Sequence, residues 1–276
     1  MIMAILCGSG FVFTMKLTEV THGNRYAATL INYLFAIVIS IVMMEEKVFF
    51  YNTKEGYFAL TFAFFNAVCM VAGMVFSRMC IGANGAPLAT TFYKLGVLIP
   101  IIFTFFLFAE VPTPVQGIGI AIVIATIVYI NMGSGESTHI NAFWLLIAVF
   151  IVGGMVDFNS KLFNMYGNPD LQEYYLFWTF VFSSLISLLF VLFKDRNISK
   201  SDVVLGILTA VPNYYVSYFI LQATLLLPAY IVYPVINVCI ILVVNIINFF
   251  AFKEKLSRRE LYATGFILVA LILLNI

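Results

Sequence analysis

Along the chain, long apolar runs alternate with short polar breaks, and no two-residue alternation of apolar and polar positions appears inside the runs. A helix needs on the order of 20 mostly apolar residues to cross the hydrocarbon core of a bilayer. By that measure the spans fall near 1–18, 26–44, 57–77, 86–109, 113–132, 140–162, 172–193, 203–225, 229–252 and 258–276. The breaks hold turn formers and charges, as in Thr21-His22-Gly23-Asn24-Arg25, Glu45-Glu46-Lys47, Gly133-Ser134-Gly135-Glu136, Gly167-Asn168-Pro169-Asp170 and Lys194-Asp195-Arg196-Asn197. Backbone polar groups in lipid must bond within their own segment, so these spans are expected to be helices. The missing alternation argues against a β-barrel. The pattern predicts an all-α integral membrane protein of about ten transmembrane helices. Met1 opens directly into an apolar stretch without a basic start, and further runs follow, so it reads as the first span rather than a cleaved signal.

Composition agrees. Of 276 residues, 63% are hydrophobic and 10% charged, and the mean hydropathy is +1.06. A soluble fold of this length needs far more polar surface. A net charge of +1 gives no electrostatic footprint for nucleic acid. Cys7, Cys69, Cys80 and Cys239 form no CxxC pair and lie in or beside apolar runs, so they read as small core residues. His22 and His139 fall in polar connections, and neither a metal site nor a cofactor is expected.

Self-similarity refines the picture. Gly8-Ser9-Gly10-Phe11-Val12-Phe13-Thr14-Met15-Lys16-Leu17 parallels Gly153-Gly154-Met155-Val156-Asp157-Phe158-Asn159-Ser160-Lys161-Leu162, with Gly8/Gly153 and Lys16/Lys161 both 145 apart (153 − 8 and 161 − 16). At the far ends, Glu110 and Glu254 are 144 apart (254 − 110). The chain therefore divides into five-span halves, 1–134 and 138–276. An odd span number makes the second half enter from the opposite side, which gives an inverted-topology repeat around a central site.

These residues resemble those of the drug/metabolite transporter superfamily, in its ten-span form with two EamA-like halves. Gly8-Ser9-Gly10-Phe11 with Lys16 matches the start of that family's first helix, and Gly153 with Phe158 and Lys161 matches more loosely. Glu254-Lys255-Leu256-Ser257 leading to Gly265 matches its fourth-to-fifth helix junction. Glu110-Val111-Pro112-Thr113 leading to Gly117 and Gly119 matches with Val-Pro in place of the usual pair. The family's tryptophan before the first-helix glycine is Cys7 here. The resemblance implies a central cavity lined by helices 1–4 and 6–9, alternating access, and export of metabolites, amino acids or drugs.

Charges deep in a span are functional candidates by default, because each is costly unless paired or hydrated. Lys94, beside Tyr93, lies about a third of the way along the fourth span, and Asp157 lies well inside the sixth. Together they suit an ion pair, a zwitterion's two ends or a proton relay. Lys16 and Lys161 read first as snorkelling side chains. Asn213 and Ser217, Tyr214 and Tyr218, and Tyr233 and Asn237 are each spaced i,i+4 on one helical face. Pro212 and Pro234 are expected to interrupt their helices, freeing backbone groups to line a cavity. Asn32 and Asn66 are further candidates, whereas buried asparagines also act as interhelical links. Tyr230, near a helix end, reads as an interface anchor. Gly117, Ala121 and Ala125 are spaced for close helix packing.

The expected function is a secondary-active transporter in the plasma membrane, monomeric or homodimeric, with a small-molecule substrate and protons as a candidate coupling ion. No Walker-type loop, HExxH or GxSxG occurs, so no enzyme activity is expected. The alternatives are a flippase for lipid-linked substrates on the same fold and a non-transporting scaffold. Sidedness is contested. The resemblance implies cytoplasmic termini, yet Arg25, Lys194, Arg196, Lys200, Lys253, Lys255, Arg258 and Arg259 all fall on the opposite side by span parity, against Lys47 and Lys54, with Lys161 at a margin, on the side of the termini.

Overall fold

The computed structural model describes residues 1–21, 24–84, 86–131, 142–251 and 258–274, and among these the only regular structure is helical. In chain order the elements are α1 (Ile2–Val20), α2 (Arg25–Met43), α3 (Lys54–Asn84), α4 (Ala86–Leu95), α5 (Leu98–Phe108), α6 (Pro114–Asn131), α7 (Phe143–Tyr166), a 3₁₀ turn (Pro169–Leu171), α8 (Gln172–Lys194), α9 (Lys200–Leu226), α10 (Ala229–Ala251) and α11 (Arg258–Leu274). Among the described residues, six helical stretches are long and apolar enough to cross a membrane: Arg25–Met43, Lys54–Asn84, Leu88–Phe108, Phe143–Tyr166, Pro169–Lys194 and Lys200–Leu226. Four shorter apolar stretches are Ile2–Met15, Pro114–Ile130, Ala229–Val244 and Leu261–Leu274. The expected third span is longer than its hydropathy indicates, which brings Arg78 inside α3. The expected fourth span is two helices, α4 and α5.

The chain forms two compact units, Met1–Val71 with Asn159–Leu225 and Ala72–Phe158 with Leu226–Ile276. Each draws on both sequence halves, so the units do not coincide with residues 1–134 and 138–276.

In the first unit α2 packs along α8. Tyr26 stacks on Phe190 and Tyr33 lies against Phe180, each with ring centroids 6.2 Å apart, which makes the pair antiparallel. Ala28, Ala36 and Ser40 on α2 and Ser183 and Ser187 on α8 are small and buried. The α9 helix crosses α2 at Gly206, where a Cβ would come within 2.8 Å of the Ala28 carbonyl oxygen and of Ile31 Cβ. Asn24 caps α2 by accepting from Tyr26 N and Ala27 N.

In the second unit α6 packs along α11. Contact is made at Gly119, where a Cβ would be 3.1 Å from Leu274 Cγ and 3.3 Å from the Ala270 carbonyl oxygen. The Gly117, Ala121 and Ala125 face expected to pack does not: Gly117 has open space beside it, and Ala121 and Ala125 are exposed. Two residues along a helix is about 200° of rotation, so Gly119 lies nearly opposite Gly117.

Pro212 and Pro234 lie inside α9 and α10 without interrupting them. Each proline removes one backbone N–H and crowds the carbonyl four residues earlier. The flanking turns keep their own bonds and packing, which carries the helix through. Pro212 also serves as a packing surface, with its Cβ 3.5 Å from where a Cβ on Gly10 would stand.

Candidate functional site

The break between α4 and α5 organises the polar side chains of the second unit. Pro100 has no N–H to offer the Gly96 carbonyl, which accepts instead from Ile99 N at 2.9 Å. Before the break, Gly96 N is shared between the carbonyls of Phe92 and Tyr93 at 3.2 Å each, and Val97 N reaches Lys94 O at 3.3 Å. This is the tightening toward 3₁₀ geometry with which helices commonly end. The sequence reading placed Lys94 inside a continuous span; it occupies the last turn of a broken helix.

Three glycines let α7 approach this break. A Cβ on Gly96 would stand 2.7 Å from Gly154 N and 2.9 Å from Phe150 O. A Cβ on Gly154 would fall on Gly96 O and within 2.6 Å of Ile99 Cβ. A Cβ on Gly153 would lie 3.0 Å from Tyr93 O and 3.1 Å from Tyr93 Cδ2. The Tyr93 ring is thus flanked by Gly153 and, on α3, by Gly73, whose Cβ position is 3.7 Å from Tyr93 Cε2. The ring nevertheless remains 45% exposed.

Asp157 follows Gly153 by one turn and so shares its face of α7. Its carboxyl is within electrostatic reach of the Tyr93 side chain. Tyr233 on α10 donates its hydroxyl to the backbone carbonyl of Asp157 at 2.6 Å, and Asn237 Nδ2 donates to Tyr233 O at 3.1 Å. Asp157, Lys94 and Asn237 are half-buried, whereas Tyr233 is buried. Among the described residues, no ion pair joins Lys94 to Asp157. The structure therefore gathers Tyr93, Lys94, Asp157, Tyr233 and Asn237 in one unit. Tyr93 lies within electrostatic reach of Asp157, whereas no described contact joins Lys94 to either of them. A carboxyl beside a part-exposed phenol can hydrogen-bond a small polar organic molecule.

Asn32, Asn66, Asn213, Tyr214 and Ser217 belong to the first unit. Asn213 Nδ2 donates to Asn32 Oδ1 at 3.3 Å, linking α9 to α2, and both residues are 5% exposed. Ser217 bonds back to Asn213 O. Tyr214 is 1% exposed, packed against Phe180, and its hydroxyl and Asn66 Oδ1 have no partner among the described residues. Asn32, Asn66, Asn213 and Tyr214 are buried, and Ser217 is half-buried. Tyr230 is buried too, which overturns its reading as an interface anchor.

Two of the repeat residues, Lys161 and Glu110, bond to backbone groups of other helices. Lys161 does not snorkel: it is 3% exposed, and its Nζ donates to Thr224 O at 3.2 Å, in the last turn of α9. The carbonyls of a last turn have no intrahelical partner, and a cation there also meets the negative end of the helix dipole. Asn164 Nδ2 donates to Leu221 O and Thr224 Oγ1, each at 2.7 Å. Gln172 Nε2 donates to Asn164 Oδ1 at 2.8 Å, and Gln222 Nε2 donates to Gln172 Oε1 at 2.9 Å. Sequence reasoning missed this network, whose signal is a set of isolated polar residues in otherwise apolar runs. Glu110 follows Ala109, whose left-handed backbone (φ 52°) closes α5. Its Oε2 accepts from Ala229 N at 2.8 Å, at the positive end of α10. Gly8 is buried in α1. The Lys16 side chain and Glu254 lie outside what the structure describes, as do His22, His139 and the 252–257 connection.

No family model and no curated protein matches the sequence. A solved structure described only as "Crystal structure of protein" superposes with a TM-score of 0.81 at 13% identity, covering 99% of this chain and 93% of that one. Identity that low with shape agreement that high shows a shared fold and nothing about substrate.

Proposed function

We propose that the chain is a secondary-active transporter of small molecules in the plasma membrane, working by alternating access. In this reading the six long and four shorter apolar stretches are ten crossings, arranged as two five-helix halves of opposite orientation. The resemblance to EamA-type members of the drug/metabolite transporter superfamily supports the same arrangement. The observation that carries the proposal is Asp157. It is a half-buried carboxyl in the middle of an apolar helix, with its backbone carbonyl held by Tyr233 and a broken helix beside it. Intramembrane ionisable groups mark substrate and ion pathways, and broken helices recur where transporters bind their cargo.

Tyr93 and Lys94 contact the substrate, Tyr233 positions the Asp157 segment, and Asp157 carries the coupling proton or the substrate's cationic group. Asp157→Asn should abolish pH-dependent transport in proteoliposomes while leaving expression intact. Transport that keeps its pH profile in the variant rejects this role.

A further inference from the structure

The two ends of the first unit differ in charge, and hydrogen bonds fix which connections share an end. Asn24 Nδ2 donates to Asp195 O at 3.0 Å and to Asn197 O at 2.7 Å, tying the α1–α2 connection to the α8–α9 connection. This end exposes four basic side chains, Arg25, Lys194, Arg196 and Lys200. Its acids in the sequence are Glu19, Asp195 and Asp202, and Asp202 is buried in the cap of α9, where it accepts from Ser199 N.

At the other end Glu45 N donates to Glu173 Oε2 at 3.1 Å, tying the α2–α3 connection to the start of α8. Here Glu45, Glu46, Glu55, Asp170 and Glu173 outnumber Lys47 and Lys54. The same end carries an aromatic set. Tyr51 meets Tyr174 edge-on, Phe49 lies on Phe177, and Trp178 Nε1 donates to Phe49 O at 3.1 Å. Aromatic side chains with one polar edge gather at the level of lipid headgroups. The helices between the two ends, α2 and α8, are about 28 and 34 Å long at 1.5 Å per residue, close to the hydrocarbon thickness.

We infer that the end bearing Arg25, Lys194, Arg196 and Lys200 lies against the anionic lipid headgroups of the cytoplasmic leaflet. The end bearing Glu45, Glu46 and Glu173 then faces away from the cytoplasm. Lysine and arginine in short connections are retained on the cytoplasmic side, and anionic lipids there attract them. The chain-wide count by span parity points the same way, and this orientation is the reverse of the one the family resemblance implies. The inference rests on the membrane-spanning reading of the proposed function and makes no use of its transport activity.

The test is labelling with a membrane-impermeant maleimide in cells that carry the full chain in the plasma membrane. The native cysteines are half-buried or buried, so the unsubstituted chain sets the background. Asn52→Cys reports the acidic end and Ile198→Cys the basic end, both at exposed uncharged positions. Asn52→Cys should label in intact cells, and Ile198→Cys only after permeabilisation. Ser201→Cys replaces Ile198→Cys if the latter fails to express. The opposite pattern overturns the orientation and leaves the spanning reading in place. Equal labelling of both positions in intact cells, or of neither until permeabilisation, overturns the inference and the spanning reading together.

Discussion

Gly154→Ala is the sharpest probe of the contact that holds the α4–α5 break against α7. The added methyl would fall on the backbone oxygen of Gly96 and within 2.6 Å of Ile99 Cβ and 2.8 Å of Ile99 Cδ1. Ordinary contacts begin near 3.4 Å. The Ile99 tip can rotate, but a backbone oxygen cannot, so the two helices must part by about 1 Å. Overpacking of this kind costs roughly 1–3 kcal/mol. Gly117→Ala is the matched control, because nothing lies within 4 Å of its Cβ position. A helical Gly→Ala change without a clash stabilises by roughly 0.5–1 kcal/mol. Thermal unfolding in detergent, followed by tryptophan fluorescence, should therefore place Gly154→Ala below the native chain and Gly117→Ala at or above it. A Gly154→Ala variant as stable as Gly117→Ala would refute the close approach, and with it the placing of Tyr93 beside Asp157.

Further substitutions test other parts of the account. Tyr233→Phe removes the hydroxyl bonded to Asp157 O and should cost about 0.5–1.5 kcal/mol of stability, with a lower transport rate. An unchanged rate would remove Tyr233 from the positioning role. Glu110→Ala takes the carboxylate from the start of α10 and should destabilise by roughly 0.5–2 kcal/mol in the same unfolding assay, whereas no loss would show that the cap carries no energy. Tyr214→Phe deletes a buried hydroxyl without a partner among the described residues, so its stability should be unchanged or about 1 kcal/mol higher. A clear loss of stability would reveal a partner for that hydroxyl.

The apolar runs were legible because long stretches of apolar side chains write themselves directly into composition. Every such described helical stretch overlaps a run seen in the sequence, although Lys54–Asn84 runs seven residues past the expected 57–77. Hydropathy is blind to what happens inside a run, however. Leu95, Val97, Leu98 and Ile99 read as one span, and the break between them depends on Gly96 meeting α7 and on Pro100 lacking an N–H. Pro212 and Pro234 show the converse, since a proline alone does not break a helix whose flanks are packed.

The site was half legible for the same reason. Asp157 and Lys94 stand out as charges in apolar text, but the neighbours Gly73 and Tyr233 come from two other stretches that spacing alone does not join. Asn213 and Tyr214 looked equally polar from the sequence, and only burial separates them from Tyr93. Lys161 matched its repeat partner Lys16 in position, yet its amine reaches a carbonyl 63 residues away on α9, a pairing no local pattern encodes.

Flux through the purified chain in proteoliposomes, with amino acids and cationic drugs as the panel and with and without a proton gradient, tests the central claim most directly. The account predicts flux of at least one compound that depends on the gradient and loses that dependence in Asp157→Asn. Folded protein that moves no compound in the panel under either condition would contradict it.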